Sequence, residues 1–156
     1  MSDTIITSTL DGNLLVIETS DGPVTYDSKF LVAALLVFVA KGSGKIEPEE
    51  SAKMIELIED HFKLKGSESL ELLTRAMSEM AERPDLGQSL AELARSLKDQ
   101  EKEDIALMAL KVIAADGRRT IGEMEQFNAA IEAAEISPEI VHRAFDRYFA
   151  ETMPGD

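Results

Sequence analysis

Cysteine and tryptophan are both missing from the 156 residues. Without a thiol there can be no disulfide, no thiolate zinc site, no iron–sulfur cluster and no cysteine nucleophile. The absence suits a reducing, cytoplasmic setting, which is the expected location. Aromatics are sparse, at 5%. Basic residues are also short, with 16 Lys and Arg against 30 Asp and Glu, a formal net charge of −14. A surface of that sign repels phosphate backbones and anionic lipid, so neither nucleic acid nor a membrane surface is an expected ligand. Cations and basic partners suit it better, although solubility alone accounts for much of such a charge. Long apolar runs are lacking too. The longest, Phe30–Ala40 (FLVAALLVFVA), falls well short of the ~20 residues that span a bilayer. No basic segment precedes an apolar stretch near Met1, so no secretory signal is read and no membrane insertion is expected.

Hydrophobic residues make up 44% of the chain, enough for one cored domain at this length. Residues 1–26 stand apart as an N-terminal extension rich in Thr, Ser, Ile and Val. Thr4–Thr9 and Leu14–Thr19, flanking Asp11-Gly12, suit a short β-hairpin, and Asp21-Gly22-Pro23 reads as a further turn. A lone hairpin is marginal, so it must pack on the rest, pair with another chain or stay loose.

From residue 27 to 156 the period is helical. Asp27 or Ser28 caps a first helix that runs to about Lys41. Pro48 opens a second, with Glu49 and Glu50 at its positive end and Met54, Leu57, Ile58 and His61 or Phe62 on one stripe. Gly66 ends that unit, and Ser67 caps a third with Leu70, Leu73, Met77 and Met80 inward. Leu86, Leu90, Leu93 and Leu97 mark a fourth. Asp99 caps a fifth, to about Ala115. Thr120 and Glu123 form a capping box for a sixth, with Met124, Phe127, Ile131 and Ala134 inward. Pro138 opens a seventh carrying Val141, Phe145, Tyr148 and Phe149. Phe30–Ala40 and Ile105–Ala115 are apolar on more than one face, which belongs at the centre of a bundle. The expected fold class is therefore all-α, with about seven helices.

The two central segments end alike. Ala40-Lys41-Gly42 lies over Ala115-Asp116-Gly117, 75 positions on; beyond the loop Glu50 lies over Glu123 and Ile58 over Ile131, 73 positions on. Each unit is a buried helix, a glycine turn and a helix started by an acid. That architecture alone needs no ligand: glycine ends a helix cheaply, and the glutamate reaches the free N–H groups of the next.

The run A-A-D-G-R-R-T-I-G-E-M-E, with the Arg83–Leu86 stretch between the copies, resembles the signature of tellurite-resistance protein B (TerB-like) proteins over about Asp27 to Phe149. The resemblance implies a seven-helix bundle built from a degenerate duplication. It also implies a link to tellurite and other chemical-stress responses, and acidic residues near the glycine turns that hold a divalent cation. Carried onto this chain, those metal residues are Asp116, Glu123 and Glu50. Lys41 stands where a fourth acid is expected, and its ammonium is expected to pair with Asp116 or Glu123.

Other motifs fall away. Gly42-Ser43-Gly44-Lys45 lacks the first glycine and the final Ser or Thr of a phosphate loop, with Val39 and Ile46 in those places. Asp116 is followed by Arg118, and Glu123 comes too soon for an EF-hand. His142 shares a helix face with Glu139 and Asp146 and reads as a surface ion pair. His61 reads as semi-buried. Met54, Met77, Met80, Met108 and Met124 sit on apolar stripes and read as core filler. No base and nucleophile set supports a hydrolase, so the expectation is not an enzyme. It is an interaction module with protein partners, linked to stress response and to a divalent cation as cofactor. The alternative is a self-assembling structural protein that forms a homodimer through its N-terminal segment.

Overall fold

A twelve-residue helix whose only charge is its first residue has no face to offer water. In a computed structural model Lys29–Ala40 (α1) is that helix, and ten of its residues are buried. The structure describes residues 5–11, 14–20, 22–27, 29–41, 46–83, 86–115 and 121–152. Among them six more α-helices follow: α2 (Pro48–Phe62), α3 (Gly66–Glu82), α4 (Leu86–Leu93), α5 (Asp99–Ala114), α6 (Ile121–Ala133) and α7 (Pro138–Thr152). A 3₁₀ turn, Ala94–Ser96, extends α4. The bundle is all-α, as its apolar periods require.

α1 packs on α2, α3, α4, α5 and α6, and α5 packs on α1, α2, α6 and α7. Leu31 and Val32 share a cavity with Glu101 and Ile105, while Leu36 and Val39 share another with Ala106 and Ala109. First halves thus lie beside first halves, and the two central helices run in the same direction. α2 returns antiparallel: the Lys29 ammonium at the start of α1 sits 6.0 Å from the Phe62 ring at the end of α2. Met54, Ile58, Leu73, Leu86, Leu90 and Phe127 close around the pair with at most 2% exposure. Each such side chain contributes roughly 1.5–3 kcal/mol relative to leaving it in water.

The duplication is larger than a helix pair. α2 ends on Lys63 at φ 57, and the Leu64 N–H donates to the Glu59 carbonyl at 3.0 Å. α6 is followed by Glu135 at φ 53, and the Ile136 N–H donates to the Ile131 carbonyl, also at 3.0 Å. Both are left-handed helix stops made without glycine. Three residues after the stop in each copy a helix begins, at Gly66 and at Pro138. The unit is therefore α1–α2–α3, repeated as α5–α6–α7, with α4 between.

Several local expectations change. Gly66 does not end α2; Lys63 does, and Gly66 is the first residue of α3. Ser67 lies inside α3, whose cap position is Lys65, and the cap of α5 is Lys98 rather than Asp99. Leu70 and Met77 are not inward: they are 53% and 36% exposed, and Ser69, Leu73, Ala76 and Met80 form the buried side. Gly87 lets α4 approach α1, since a Cβ there would run into the Phe38 ring and stand 3.0 Å from Met80 Cε. Ser28 and Thr120, expected as caps, lie outside the described residues.

The N-terminal extension forms a three-stranded antiparallel sheet in the order β1 (Ile5–Asp11), β2 (Leu14–Thr19), β3 (Gly22–Asp27). Leu10 pairs with Leu15 across the first turn, and Val16 with Thr25 across the second pair. The expected hairpin is present, and Gly22, read as a turn residue, instead opens the third strand at φ 118. A third strand and packing of β1 on α4 supply what a lone hairpin lacks.

Candidate functional site

The second helix of each copy starts with a buried carboxylate. Pro48 fixes the first turn of α2, and two residues on Glu50 folds back so that the Glu47 N–H donates to its Oε1 at 3.0 Å. Glu123 is the third residue of α6. Exposure is 0% for Glu50 and 1% for Glu123. A helix start favours a negative charge through its dipole and its free N–H groups. Full burial goes further, because taking a carboxylate out of water costs several kcal/mol unless its oxygens are matched.

Both helix starts lie where the central helices end. The Gln126 amide, one turn into α6, donates to the Phe38 carbonyl near the end of α1 at 3.4 Å. α2 begins within a few residues of the same end of α1. Glu50 and Glu123 thus belong to one end of the bundle, the end that the parallel α1 and α5 both reach.

Asp116, with both glycine turns, lies outside the described residues. Among the described residues no group of three or more Asp, Glu and His side chains forms a metal cluster. Lys41 is exposed, and no ion pair joins it to Glu123 among the described residues. The other partner expected for Lys41, Asp116, lies outside the described residues.

The family profile described as tellurite resistance protein TerB matches residues 29–146. The chain belongs to the TerB family. The match starts on the first residue of α1, so the sheet lies outside it. No curated protein and no solved structure matches the chain.

Beside the same end of this TerB-family bundle a cleft of about 460 Å³ opens between α2, the last turn of α5 and α7. Lys53, Glu56, Asp60, Lys111, Tyr148 and Glu151 line it, with Lys53 and Lys111 tied to Glu56 and Glu151 at 3.1 Å each. Sequence reasoning did not single out this cleft, because its residues come from three helices far apart in the chain and no local pattern joins them. Another missed feature is Glu103. Its carboxylate accepts from Arg143 Nε at 2.7 Å and Arg147 Nη1 at 2.9 Å, and Asp104 accepts from Arg147 at 2.8 Å. The Arg143 hydrogen bond leads in holding the Glu103 carboxyl below its ordinary value, against an opposing desolvation by burial. The pair raises Arg143 in turn. This cluster clamps α7 to α5. The i,i+4 spacing of Arg143 and Arg147 was the available signal.

The histidines divide. His142 pairs with Asp146 at 3.4 Å on the surface, as its face suggested. His61 is exposed rather than semi-buried and stacks edge-on against Phe62. Met54, Met80 and Met108 are core filler; Met77 is not. No helix among the described residues is long and apolar enough to cross a membrane.

Proposed function

We propose that this TerB-family domain is a non-enzymatic interaction module of a tellurite or chemical-stress response, tuned by a divalent cation at the end of the bundle where α1 and α5 stop. Glu50, Glu123 and Asp116 are its protein ligands. The observation that supports this reading is the near-complete burial of Glu50 and Glu123 at corresponding helix starts. A cation held at that end would neutralise buried negative charge in an already acidic protein. The donors are hard oxygens, which suit Ca²⁺, Mg²⁺ or Mn²⁺ better than a softer ion. A carboxylate can accept an N–H on one oxygen, as Glu50 does from Glu47, and meet a cation with the other. Three carboxylates leave room for carbonyls or water in a shell of six to eight oxygens. When bound, the ion supplies charge neutralisation and rigidity at the two turns.

Isothermal titration of the intact chain with Ca²⁺, Mg²⁺, Mn²⁺ and Zn²⁺ is the direct test. Heat from a hard ion, reduced at least tenfold in affinity by Glu50→Gln or Glu123→Gln, is the expected outcome. Silence with all four ions, or heat unchanged in Asp116→Ala and Glu123→Gln, removes the cation from the account.

A second reading, self-assembly through the N-terminal segment, is favoured by the three-stranded sheet, whose outer strands β1 and β3 each pair on one side only within it. Such strands offer unpaired N–H and C=O groups to a second chain. Sedimentation of the intact chain decides it, since a monomer at every concentration disposes of the idea.

A further inference from the structure

α3 carries two apolar sectors where a covering helix needs one. At 100° per residue Leu70, Thr74, Met77 and Ala81 fall in one narrow sector beside the buried side of the helix. All four are exposed, Leu70 at 53% and Met77 at 36%. A single exposed leucine is ordinary. Two large apolar side chains two turns apart on one line, with only Thr and Ala between and beyond them, match the i, i+4, i+7 spacing by which helices dock.

The charge around the strip selects its occupant. Glu71 and Glu82 stand on its outer margin, and Glu68 and Glu71 line an adjoining cleft of about 280 Å³ with Lys29 and Arg75. α3 carries four glutamates, Glu68, Glu71, Glu79 and Glu82, against Arg75. A second copy docked about a two-fold axis would set this acidic margin against itself, in a chain of net charge −14. An anionic membrane is repelled in the same way. A helix with an apolar line and basic flanks meets both the strip and its margin.

We propose that the Leu70–Ala81 face of α3 docks an amphipathic helix of a protein partner, with Lys or Arg flanking its apolar line. The proposal rests on the reading of the domain as an interaction module, though not on its cation, since Glu50 and Glu123 start other helices. Leu70 and Met77 are the anchors, and Glu71 and Glu82 select for the basic flanks and speed encounter.

The test uses the intact chain and a labelled synthetic helix of about 18 residues, five turns, with Leu on one face and Lys and Arg beside it. Fluorescence anisotropy should show saturable binding that weakens with salt. Leu70→Ser with Met77→Ser should weaken it about tenfold or more, while Phe149→Ser, an exposed apolar residue on α7, leaves it unchanged. Both anchors are exposed, so the double variant should stay folded with only a small drop in its unfolding midpoint, which circular dichroism checks. Equal binding of a scrambled peptide of the same composition overturns the proposal, as does unchanged binding by the double variant. Preference for anionic vesicles over the peptide overturns it too. Each titration is run in EDTA and in Ca²⁺. Strip-dependent binding that ignores calcium upholds the docking face while counting against the cation. Peptide binding that ignores the strip and is lost in Glu50→Gln rejects the face and leaves the module reading standing.

Discussion

The two copies of the three-helix unit bury the same central helix by different chemistry. In the first, α3 closes on α1 with Leu73, Ala76 and Met80, and its polar contribution to the buried side is Ser69. In the second, α7 closes on α5 through Ile140 and Ala144 together with the Glu103, Arg143, Arg147 and Asp104 network. The cause is in the helices they cover. α1 has no charge after Lys29, so its cover meets only hydrocarbon. α5 opens with Asp99, Glu101, Lys102, Glu103 and Asp104, so its cover must satisfy charges before it can bury the apolar half. One fold therefore tolerates either a sealed apolar contact or a matched ionic one over the same helix.

The largest expected effect comes from opening the sealed copy. Leu36 is fully buried in α1, and Leu36→Ala removes its packing while leaving a cavity, at about 3–4 kcal/mol. Urea unfolding at neutral pH measures it. A loss below about 1 kcal/mol would mean that α1 is less tightly enclosed than its burial shows. Next comes the approach of α4 to α1. Gly87→Ala gains up to about 1 kcal/mol of helix propensity but forces the added methyl against Phe38 and Met80, and overpacking costs about 1–3 kcal/mol. The net expectation is a loss of up to about 2 kcal/mol, relieved when Phe38→Leu is added, because a smaller side chain vacates the clash.

These differences explain what could be read in advance. The apolar period located all seven helices, because burial imposes the same spacing in either copy. The glycine turns and the helix-start glutamates exposed the duplication. Its full extent was hidden because Lys63 and Glu135 take left-handed stops that residue type does not advertise. The faces of α3 were misassigned at Leu70 and Met77 because an exposed apolar strip and a buried one have the same spacing. β3 was missed because Gly22-Pro23 reads as a turn, yet strand pairing with β2 begins there. Of the candidate site, Glu50 and Glu123 were legible as helix-start acids; their burial was not, since it depends on packing between helices. The α5–α7 clamp joins residues 40 or more positions apart, which no local pattern reveals.

A smaller effect tests the ionic copy. Glu103→Gln keeps the shape and removes the charge, and the arginines it leaves are partly exposed, so the cost at neutral pH is on the order of 1 kcal/mol. The pH dependence is the sharper signature. The Arg143 hydrogen bond is the leading cause that lowers the Glu103 carboxyl in the folded state. A lowered folded value means the unfolded chain binds the proton first, so stability is present above the ordinary value of 4.5 and drains away as pH falls below it towards the folded value. The gap between the native chain and Glu103→Gln should therefore narrow in acid and stay constant from pH ~6 to 8. A gap that holds its size down to pH ~3 would mean that Glu103 contributes shape rather than charge.

The smallest expected effect has the opposite sign. Ser69 is fully buried on the face that α3 turns to the core, and its hydroxyl has no hydrogen-bond partner among the described residues. Burying an unmatched hydroxyl costs about 1–3 kcal/mol, while alanine at the same place deletes the hydroxyl and raises helix propensity. The cavity left by one oxygen subtracts a little. Ser69→Ala should therefore stabilise the chain by about 0.5–1 kcal/mol in urea unfolding. Deleting a polar group from the cover of the other copy, Arg147→Ala on α7, should instead destabilise, because it strips partners from Glu103 and Asp104. Opposite signs at the two covers would confirm that polar groups are a burden in the first copy and a fastening in the second. If Ser69→Ala destabilises instead, the hydroxyl has a partner in solution, and the first copy is held by polar contact as the second is.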